Sequence, residues 1–408
     1  MASSIFFLLL LHLLGIVVAC NETRHVSGDL FNSLEELSRL VDISYCVGTT
    51  GVQQPFQCLS RCIEFPDLEL VTTWNTGVLL TDSCGYVAIS HPPSPKRIII
   101  AFRGTYSITN TIIDLSAYPQ AYVPYTGDDN KINETQSLRP SRPRCENCTV
   151  HAGFMASWLD TRSIILPQVS EAMQNYSDYE VTLVGHSLGG AVAALAGLEM
   201  RLKGWDPLVT TFGEPMLGNA DFAQFFNENF DLQPTNLTSK LSQDESRFRR
   251  VTHTDDPVPL LPLPEWGYEP HAGEIFISRS DLPPSLGDVH PCMGNYDPRC
   301  IAGSEAPALL REMYHDVNIP VDLSSSMTPC QKHPANHASE SDEQVAVGPW
   351  KGQDIVSCKT GHSDDRLSPL RWDWSLIPAK YRLWELFYAH RDYFWRIGLC
   401  VPGGDPTG

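Results

Sequence analysis

Apolar positions along the chain form two patterns, continuous runs and helically spaced stripes, which alternate over much of its length. Residues 97–102 form a continuous apolar run, and residues 208–212 and 248–253 are predicted to be further short strands. Apolar runs without alternation are typical of strands covered on both faces. Residues 190–200 are small and apolar and are long enough for a helix. Strands that alternate with helices predict an α/β fold with a mostly parallel central sheet flanked by helices.

A helix is also predicted near the start of the chain, where Leu34, Leu37 and Leu40 recur at every third position. This spacing places the three leucines on one face, which we expect to be buried. Ser33, followed three positions later by Glu36, matches a capping box. The pattern therefore predicts that this helix begins at Ser33.

A pentapeptide of the form G-x-S-x-G stands at residues 185–189, between a β-branched stretch at 179–184 and the apolar helix at 190–200. On its own this pattern occurs by chance, and the alternative is an ordinary turn. A strand, the pentapeptide and a helix in succession are typical of a nucleophile elbow, in which the serine stands clear of the sheet. The pattern therefore indicates that Ser187 is a catalytic nucleophile.

A nucleophilic serine needs a histidine base and an acid that orients the histidine. In α/β-hydrolases both follow the serine along the chain, the acid first. Asp255 and Asp256 close the strand at residues 248–253, and the pattern does not choose between them. The histidines beyond this strand are His271, His290, His315, His333, His337, His362 and His390. Chain order alone leaves them open, although His390 is favoured because it lies in an aromatic segment and not in a polar loop.

The oxyanion formed during ester cleavage needs two hydrogen-bond donors. One is expected to be the backbone N–H of Leu188, the residue after the nucleophile. The other should come from a loop after an earlier strand, and Thr105 follows the strand at residues 97–102 closely. Leu188 and Thr105 are therefore the predicted oxyanion-hole residues.

Residues 106–118 form an amphipathic stretch directly after this loop. The ordinary interpretation is a helix with one face in the core. The alternative is a lid whose apolar face covers the pocket in water and turns outward at a lipid surface. The apolar residues of the predicted lid helix are Ile108, Ile112, Ile113 and Leu115.

The chain has 408 residues and a formal net charge of −19, from 29 Lys and Arg against 48 Asp and Glu. Because this charge repels polyanions, we expect no nucleic-acid partner. Residues 5–19 form an apolar run that is too short to span a bilayer. We interpret residues 1–19 as a signal peptide and 20–408 as one secreted domain with no integral membrane span.

Export to the cell exterior agrees with two further features of the sequence. Sequons for N-linked glycans begin at Asn21, Asn133, Asn147, Asn175 and Asn236. The twelve cysteines of an exported chain are expected to form disulfides. A zinc site built from the Cys58-x-x-x-Cys62 and Cys145-x-x-Cys148 pairs is the alternative.

The periodicity weakens between about residues 302 and 379, and this stretch contains His333, His337, Glu340 and Asp342. A metal site there would need a second ligand cluster, so we expect solvated loop residues and no metal or cofactor.

The candidate residues belong to a set of longer motifs. In chain order these are Ser44-Tyr45-Cys46-Val47-Gly48, Ala101-Phe102-Arg103-Gly104-Thr105, Val150-His151-x-Gly153-Phe154, Val184-Gly185-His186-Ser187-Leu188-Gly189-Gly190, Arg250-Val251-Thr252-His253-x-x-Asp256-x-Val258-Pro259, Gly267-Tyr268-x-x-His271 and Ala389-His390-x-x-Tyr393-Phe394. With these motifs, the chain from about residue 42 to 400 resembles the secreted fungal class 3 lipases, the triacylglycerol lipases of filamentous fungi and yeasts.

The resemblance implies an α/β-hydrolase fold with a lid helix, and it selects among the open candidates. It implies that Asp256 is the acid and His390 the base. His315 is a rival by its distance beyond Cys300, but the residues after it do not match the family pattern. The disulfides implied are Cys46–Cys400, Cys58–Cys62, Cys145–Cys148 and Cys292–Cys300. The pairing of Cys20, Cys84, Cys330 and Cys358 stays open, and residues 302–379 form an insertion relative to the yeast members.

The resemblance thus implies a secreted, monomeric triacylglycerol lipase that acts on lipid esters at an oil–water interface. Ser187, Asp256 and His390 would carry the reaction through an acyl-enzyme. A feruloyl esterase or a phospholipase of the same fold is the alternative, as is, from another class, an inactive hydrolase fold that serves as a binding scaffold.

Overall fold

The computed structural model describes residues 25–77, 83–105, 119–124, 145–232, 245–304 and 388–402. Its helices are α1 (Gly28–Ser44), α2 (Ala152–Asn175), α3 (Leu188–Leu202) and α4 (Ala220–Asn229). Its strands are β1 (Leu68–Asn75), β2 (Cys84–Ser90), β3 (Arg97–Arg103), β4 (Pro119–Ala121), β5 (Thr149–His151), β6 (Glu180–His186), β7 (Leu208–Phe212), β8 (Phe248–His253), β9 (Glu274–Ile277) and β10 (Val289–Pro291).

Eight of these strands form one sheet in the order β1-β2-β3-β6-β7-β8-β9-β10. The pairs from β3 through β6, β7 and β8 to β9 are parallel. The outer pairs, β1 with β2, β2 with β3 and β9 with β10, are antiparallel. The predicted α/β fold with a mostly parallel central sheet is therefore confirmed.

Strand β3 shows why the central strands are apolar without alternation. Ile98 and Ile100 pack in a cluster that includes apolar residues of α2 and α3. Ile99 and Ala101, which point the other way, pack in a second cluster that includes the leucines of α1. Helices therefore cover both faces of the sheet, and both sets of side chains are removed from water.

Helix α1 has the expected buried face but begins earlier than predicted. Leu34, Leu37 and Leu40 are fully buried. The prediction that the helix starts at Ser33 is wrong: the N-cap is Ser27, whose Oγ accepts a hydrogen bond of 3.0 Å from the N–H of Leu30. The side chain of Glu36 does not close a capping box, because it forms an ion pair with Arg97 of β3.

The parallel strands bring four loops to one edge of the sheet. β3, β6, β7 and β8 all run in the same direction, so their carboxyl ends meet at that edge. The loops after them contain Thr105, Ser187, Gly213 and Asp256 respectively. Ligand sites of open α/β sheets lie outside the carboxyl ends of the strands, so this edge is where a site is expected.

Disulfides join Cys46 to Cys400, Cys58 to Cys62, Cys145 to Cys148 and Cys292 to Cys300, the pairs that the resemblance implies. The first ties the residues after α1 to the C-terminal segment at 388–402. Cys84 is buried, and its thiol donates a hydrogen bond of 2.9 Å to Oδ1 of Asn75. Within the described ranges, no helix combines the length and the apolar character needed to cross a bilayer.

Asn147 and Asn175 are exposed, as glycan acceptors need to be. Several other predictions fall on residues outside the described ranges. These are the signal peptide, the sequons at Asn21, Asn133 and Asn236, the lid residues Ile108, Ile112, Ile113 and Leu115, Cys20, Cys330 and Cys358, and the insertion except for residues 302–304.

Asp42 of α1 makes the stability of the protein depend on pH. Its carboxylate is buried and accepts hydrogen bonds of 2.9 Å from the N–H of Gly398 and from the hydroxyl of Ser60. Burial outweighs these bonds and raises the pKa of Asp42 from 3.8 to about 6. Because the folded-state pKa is raised, the resulting stabilisation is complete below about pH 4 and is lost as the pH rises through about 6.

Asp42→Asn changes the free energy of unfolding relative to the unsubstituted protein, and we expect this change to be more stabilising at pH 8 than at pH 4. The amide keeps the shape of the side chain but does not ionise. The pKa of Asp42 rises from 3.8 to about 6, and each pKa unit corresponds to about 1.4 kcal/mol, so the two changes should differ by about 3 kcal/mol. Urea unfolding of both proteins at pH 4, 6 and 8 measures it. Asp29→Asn, at the first turn of the same helix, is the control. Parallel stability curves for Asp42→Asn and the unsubstituted protein would contradict the expectation.

Candidate active site

Ser187 occupies the turn between β6, which ends at His186, and α3, which begins at Leu188. Its backbone has φ 58° and ψ −130°, a conformation that costs a non-glycine residue energy and that the surroundings must enforce. A Cβ on Gly185 would lie 2.2 Å from the carbonyl oxygen of Gly189. A Cβ on Gly189 would lie 2.5 Å from the carbonyl oxygen of Phe102. Both flanking glycines are therefore required by close packing of the turn.

The loop after β3 packs directly against the turn at Ser187. A Cβ on Gly104 would lie 2.8 Å from the Cβ of Ser187, so the two backbones are in close contact. Thr105 follows Gly104 and is half-buried. Leu188 is buried and begins α3, where backbone N–H groups have no partner within the helix. Leu188 therefore follows Ser187 in the chain, and Thr105 follows a residue that packs against Ser187, so both predicted oxyanion-hole residues are next to residues of this turn.

His390 and Asp256 form a buried pair at the same edge of the sheet. The Nδ1 atom of His390 lies 2.9 Å from Oδ1 and 2.8 Å from Oδ2 of Asp256. His390 is fully buried and Asp256 is 1% exposed. Asp255, the other acid that the sequence left open, is half-buried beside it. The structure thus pairs with His390 the acid that the resemblance implies.

The carboxylate of Asp256 is oriented by two further donors. The N–H of Val258 donates to Oδ1 at 2.9 Å, and the hydroxyl of Tyr393 donates to Oδ2. Burial and the charge of Asp256 raise the pKa of Tyr393 well above its usual value, so the phenol keeps its proton. No pattern in the residues indicated this role of Tyr393, although Tyr393 belongs to the motif that contains His390.

The second ring nitrogen of His390 is available for proton transfer. Its Nε2 atom is buried and has no hydrogen-bond partner among the described residues. Since Nδ1 donates its hydrogen to Asp256, Nε2 of the neutral ring is an acceptor. Gly213 packs against the ring, and a Cβ on it would fall 2.8 Å from Cε1 of His390 and 3.0 Å from Oδ2 of Asp256. Only glycine fits there, because the backbone also has φ 60°.

Ser187 is linked to the same region through β7. Its N–H donates to the carbonyl oxygen of Phe212 at 2.9 Å, and Phe212 immediately precedes Gly213. The nucleophile turn, the loop after β7 and the His390–Asp256 pair therefore form one cluster, with an acceptor nitrogen inside it. Such a cluster has the parts needed for nucleophilic attack on a carbonyl carbon.

The remaining candidate histidines have other surroundings or lie outside the described residues. His271 is buried, with Nε2 2.8 Å from Glu214 and Nδ1 2.8 Å from the carbonyl oxygen of Ala272. His290 is half-buried on β10. His315, His333, His337 and His362 fall outside the described ranges. In the part of the chain that the structure describes, no group of three or more His, Cys, Asp or Glu side chains is arranged to hold a metal ion.

Comparison with known proteins agrees with this geometry. Residues 99–266 match the model of a family described as Lipase (class 3), a span that includes Ser187 and Asp256. The chain is 48% identical over 406 residues to Lipase A of Sodiomyces alcalophilus, covering 96% of this chain and 87% of that protein. It is 44% identical over 401 residues to Secreted mono- and diacylglycerol lipase 2 of Gibberella zeae, covering 94% and 85% respectively.

The fold has solved counterparts as well. The crystal structure of Lip2 lipase from Yarrowia lipolytica superposes with a TM-score of 0.61 at 34% sequence identity. The match covers 72% of this chain and 93% of that one. The α/β-hydrolase fold expected from the sequence is therefore confirmed.

Proposed function

The chain belongs to the class 3 lipase family, and we propose that it hydrolyses acylglycerols through an acyl-enzyme formed on Ser187. The observation that supports the mechanism is the buried His390, with Nδ1 held by Asp256 and Nε2 left as an acceptor next to the nucleophile turn. The protein is thus a carboxylic ester hydrolase in which His390 is the general base and Asp256 the residue that orients it.

In the proposed reaction, Nε2 of His390 takes the hydroxyl proton of Ser187 as its Oγ attacks the ester carbonyl carbon. The imidazolium is stabilised by Asp256, which remains a carboxylate. The tetrahedral intermediate collapses when His390 returns the proton to the oxygen of the leaving alcohol. Water then attacks the acyl-enzyme and passes a proton to the same nitrogen. As the second tetrahedral intermediate collapses, His390 returns this proton to Oγ of Ser187, and the carboxylic acid is released.

The negative oxygen of each tetrahedral intermediate needs donors that are already in place. We assign this role to the backbone N–H of Leu188 and to Thr105, through its N–H or its hydroxyl. The contact of Gly104 with Ser187 supports the assignment, because it brings the Thr105 loop to the nucleophile. Loss of one such donor typically costs about 3 kcal/mol of transition-state stabilisation.

The proposed setting of the reaction is outside the cell. The relative from Gibberella zeae is named as a secreted lipase, and Asn147 and Asn175 expose sequons. We therefore propose that residues 1–19 direct export and that the mature chain acts as a monomer at an oil–water interface. The apolar residues Ile108, Ile112, Ile113 and Leu115 are proposed as a lid that opens there.

The substrate class is tested by titrating the acid released from emulsified triolein, tributyrin, phosphatidylcholine and methyl ferulate. We expect the acylglycerols to be hydrolysed fastest, with a rise in rate when tributyrin passes its solubility limit. The physical reason is that burying the apolar lid residues in lipid returns about 25 cal/mol per Å² and so shifts a closed lid towards the open state.

Two outcomes of this titration would overturn the substrate assignment. Fastest release from methyl ferulate with smooth saturation would identify a feruloyl esterase. Fastest release from phosphatidylcholine would identify a phospholipase. Failure of a fluorophosphonate probe to label the protein, with no acid released from any ester, would identify a hydrolase fold without activity.

A further inference from the structure

His186 is the last residue of β6 and directly precedes Ser187, and both of its ring nitrogens are hydrogen-bonded inside the protein. Nε2 lies 2.8 Å from the backbone oxygen of His390, and Nδ1 lies 2.6 Å from the hydroxyl of Tyr45. The side chain of His186 is 2% exposed. Its ring lies over that of His390, with centroids 4.7 Å apart. The side chain next to the nucleophile therefore contacts the main chain of the proposed base.

The partners of His186 assign the position of its proton. A carbonyl oxygen only accepts hydrogen bonds, so Nε2 carries the hydrogen and donates it to His390. Burial, followed by the charge of His390, lowers the pKa of His186 well below its usual value, so the ring is neutral. Nδ1 is then an acceptor and the hydroxyl of Tyr45 is the donor. Tyr45 thus stabilises the tautomer that the carbonyl oxygen of His390 requires, because its hydroxyl donates to Nδ1.

The segment that carries His390 depends on such contacts for its position. Residues 388–402 lie outside the eight strands of the central sheet. The disulfide Cys46–Cys400 and the bond from the N–H of Gly398 to Asp42 hold the far end of the segment. Asp256 orients the ring of His390. His186, which directly precedes Ser187, binds the backbone oxygen of His390 instead.

The position of this backbone matters for proton transfer. A general base must come within about 2.6–3.2 Å of the atom that carries the proton. A displacement of about 1 Å in such an arrangement costs about 100-fold in rate. A donor that joins the residue before the nucleophile to the main chain of the base controls this distance directly.

We propose that His186 is a positioning residue that sets the distance between Ser187 and Nε2 of His390, and that Tyr45 keeps His186 in the tautomer required. The proposal rests on the proposed function, because the effect reaches the substrate only through His390. It gives a reason for a histidine at the second position of the pentapeptide, where the general pattern accepts any residue.

The test compares His186→Leu with His186→Gln on a dissolved p-nitrophenyl butyrate substrate. His186→Leu removes the donor, and we expect kcat to fall about 100-fold while KM stays within about twofold. The amide of His186→Gln can donate to the same carbonyl, so its kcat should stay within about tenfold of the unsubstituted enzyme. Tyr45→Phe leaves the Nε2–H donor in place but removes the hydrogen bond to Nδ1 that stabilises this tautomer, and we expect kcat to fall about fivefold.

A spectroscopic measurement separates positioning from a general loss of stability. The Nδ1 proton that His390 donates to Asp256 is expected to give a far-downfield proton NMR signal. In His186→Leu this signal should shift or broaden at temperatures well below the thermal unfolding midpoint. In His186→Gln it should stay near its original position.

Several outcomes would overturn the positioning role. A folded His186→Leu enzyme with unchanged kcat would do so, as would equal losses of kcat in folded Leu and Gln variants. If His186→Leu does not fold, Tyr45→Phe decides: unchanged kcat with an unshifted NMR signal rejects the proposal. Normal turnover by Ser187→Ala would instead reject the proposed function itself, whatever the His186 variants do.

Discussion

Ser187→Ala is expected to lower kcat for ester hydrolysis by about 10⁶-fold, the size of loss typical when a serine nucleophile is removed. The substitution deletes the only atom that is proposed to bond to the acyl group, Oγ of Ser187. The fold should persist, because alanine has nearly the same shape and meets the same strained backbone at φ 58°. Titration of acid released from emulsified tributyrin measures the effect, and circular dichroism establishes that the variant is folded.

Ser163→Ala is the matched control for this substitution. Ser163 is exposed on α2, and its hydroxyl donates to the carbonyl oxygen of Asp160 within the same helix. We expect full activity and full fluorophosphonate labelling in this variant, and no labelling in Ser187→Ala. A Ser187→Ala protein that turned over esters at the normal rate would show that another residue is the nucleophile.

Asp256→Asn is expected to lower kcat by about 10⁴-fold with little change in the fold. The amide can donate a hydrogen to Nδ1 of His390, which forces the ring hydrogen onto Nε2. A protonated Nε2 in the neutral ring cannot accept the proton of Ser187, so the base is present in the wrong tautomer. The kcat for dissolved p-nitrophenyl butyrate, together with the thermal unfolding midpoint, measures the two effects separately.

Asp255→Asn is the sharpest control, because Asp255 adjoins Asp256 and the sequence pattern alone treated the two as equals. Asp255 is half-buried, whereas both carboxylate oxygens of Asp256 lie within 2.9 Å of His390. We expect Asp255→Asn to retain kcat within about twofold, since a partly exposed charge contributes little to its surroundings. Equal losses in the two variants would mean that the geometry of His390 and Asp256 is not what carries the reaction.

The elbow at Ser187 shows how far local pattern carries a prediction. β6, the pentapeptide and α3 span residues 180–202, and each of their signals acts within a few residues. The β-branched strand, the glycines needed for close approach and the small apolar helix are all visible in sequence. The predicted start of α1 at Ser33 is wrong because the local pattern does not show contacts with residues distant in sequence. Glu36 had a second partner, Arg97, that is distant in sequence and absent from any local pattern.

The partners of Ser187 show where residue-level reasoning stopped. Chain order required an acid and a histidine downstream but left Asp255 beside Asp256 and seven histidines open. The resemblance to known motifs selected one of each, and the structure pairs the same two residues. His186 and Tyr45 went unnoticed because their bond joins residues 141 positions apart. The sequence around a single histidine does not indicate which distant carbonyl oxygen its ring binds.

Local patterns were enough to predict the alternation of strands and helices and the turn at Ser187, and the family resemblance was enough to pair the cysteines. These follow from short-range backbone geometry, hydrophobic periodicity and motif identity. The contacts formed on folding show that Asp256 faces His390, as the resemblance implied, and they add two partners that no pattern indicated: Tyr393 donates to Asp256, and His186 binds the backbone oxygen of His390. Those contacts depend on how parallel strands bring loops 134 to 204 residues apart to one edge of the sheet. Their geometry is set by the packing of both faces of that sheet, which no single stretch of the chain encodes.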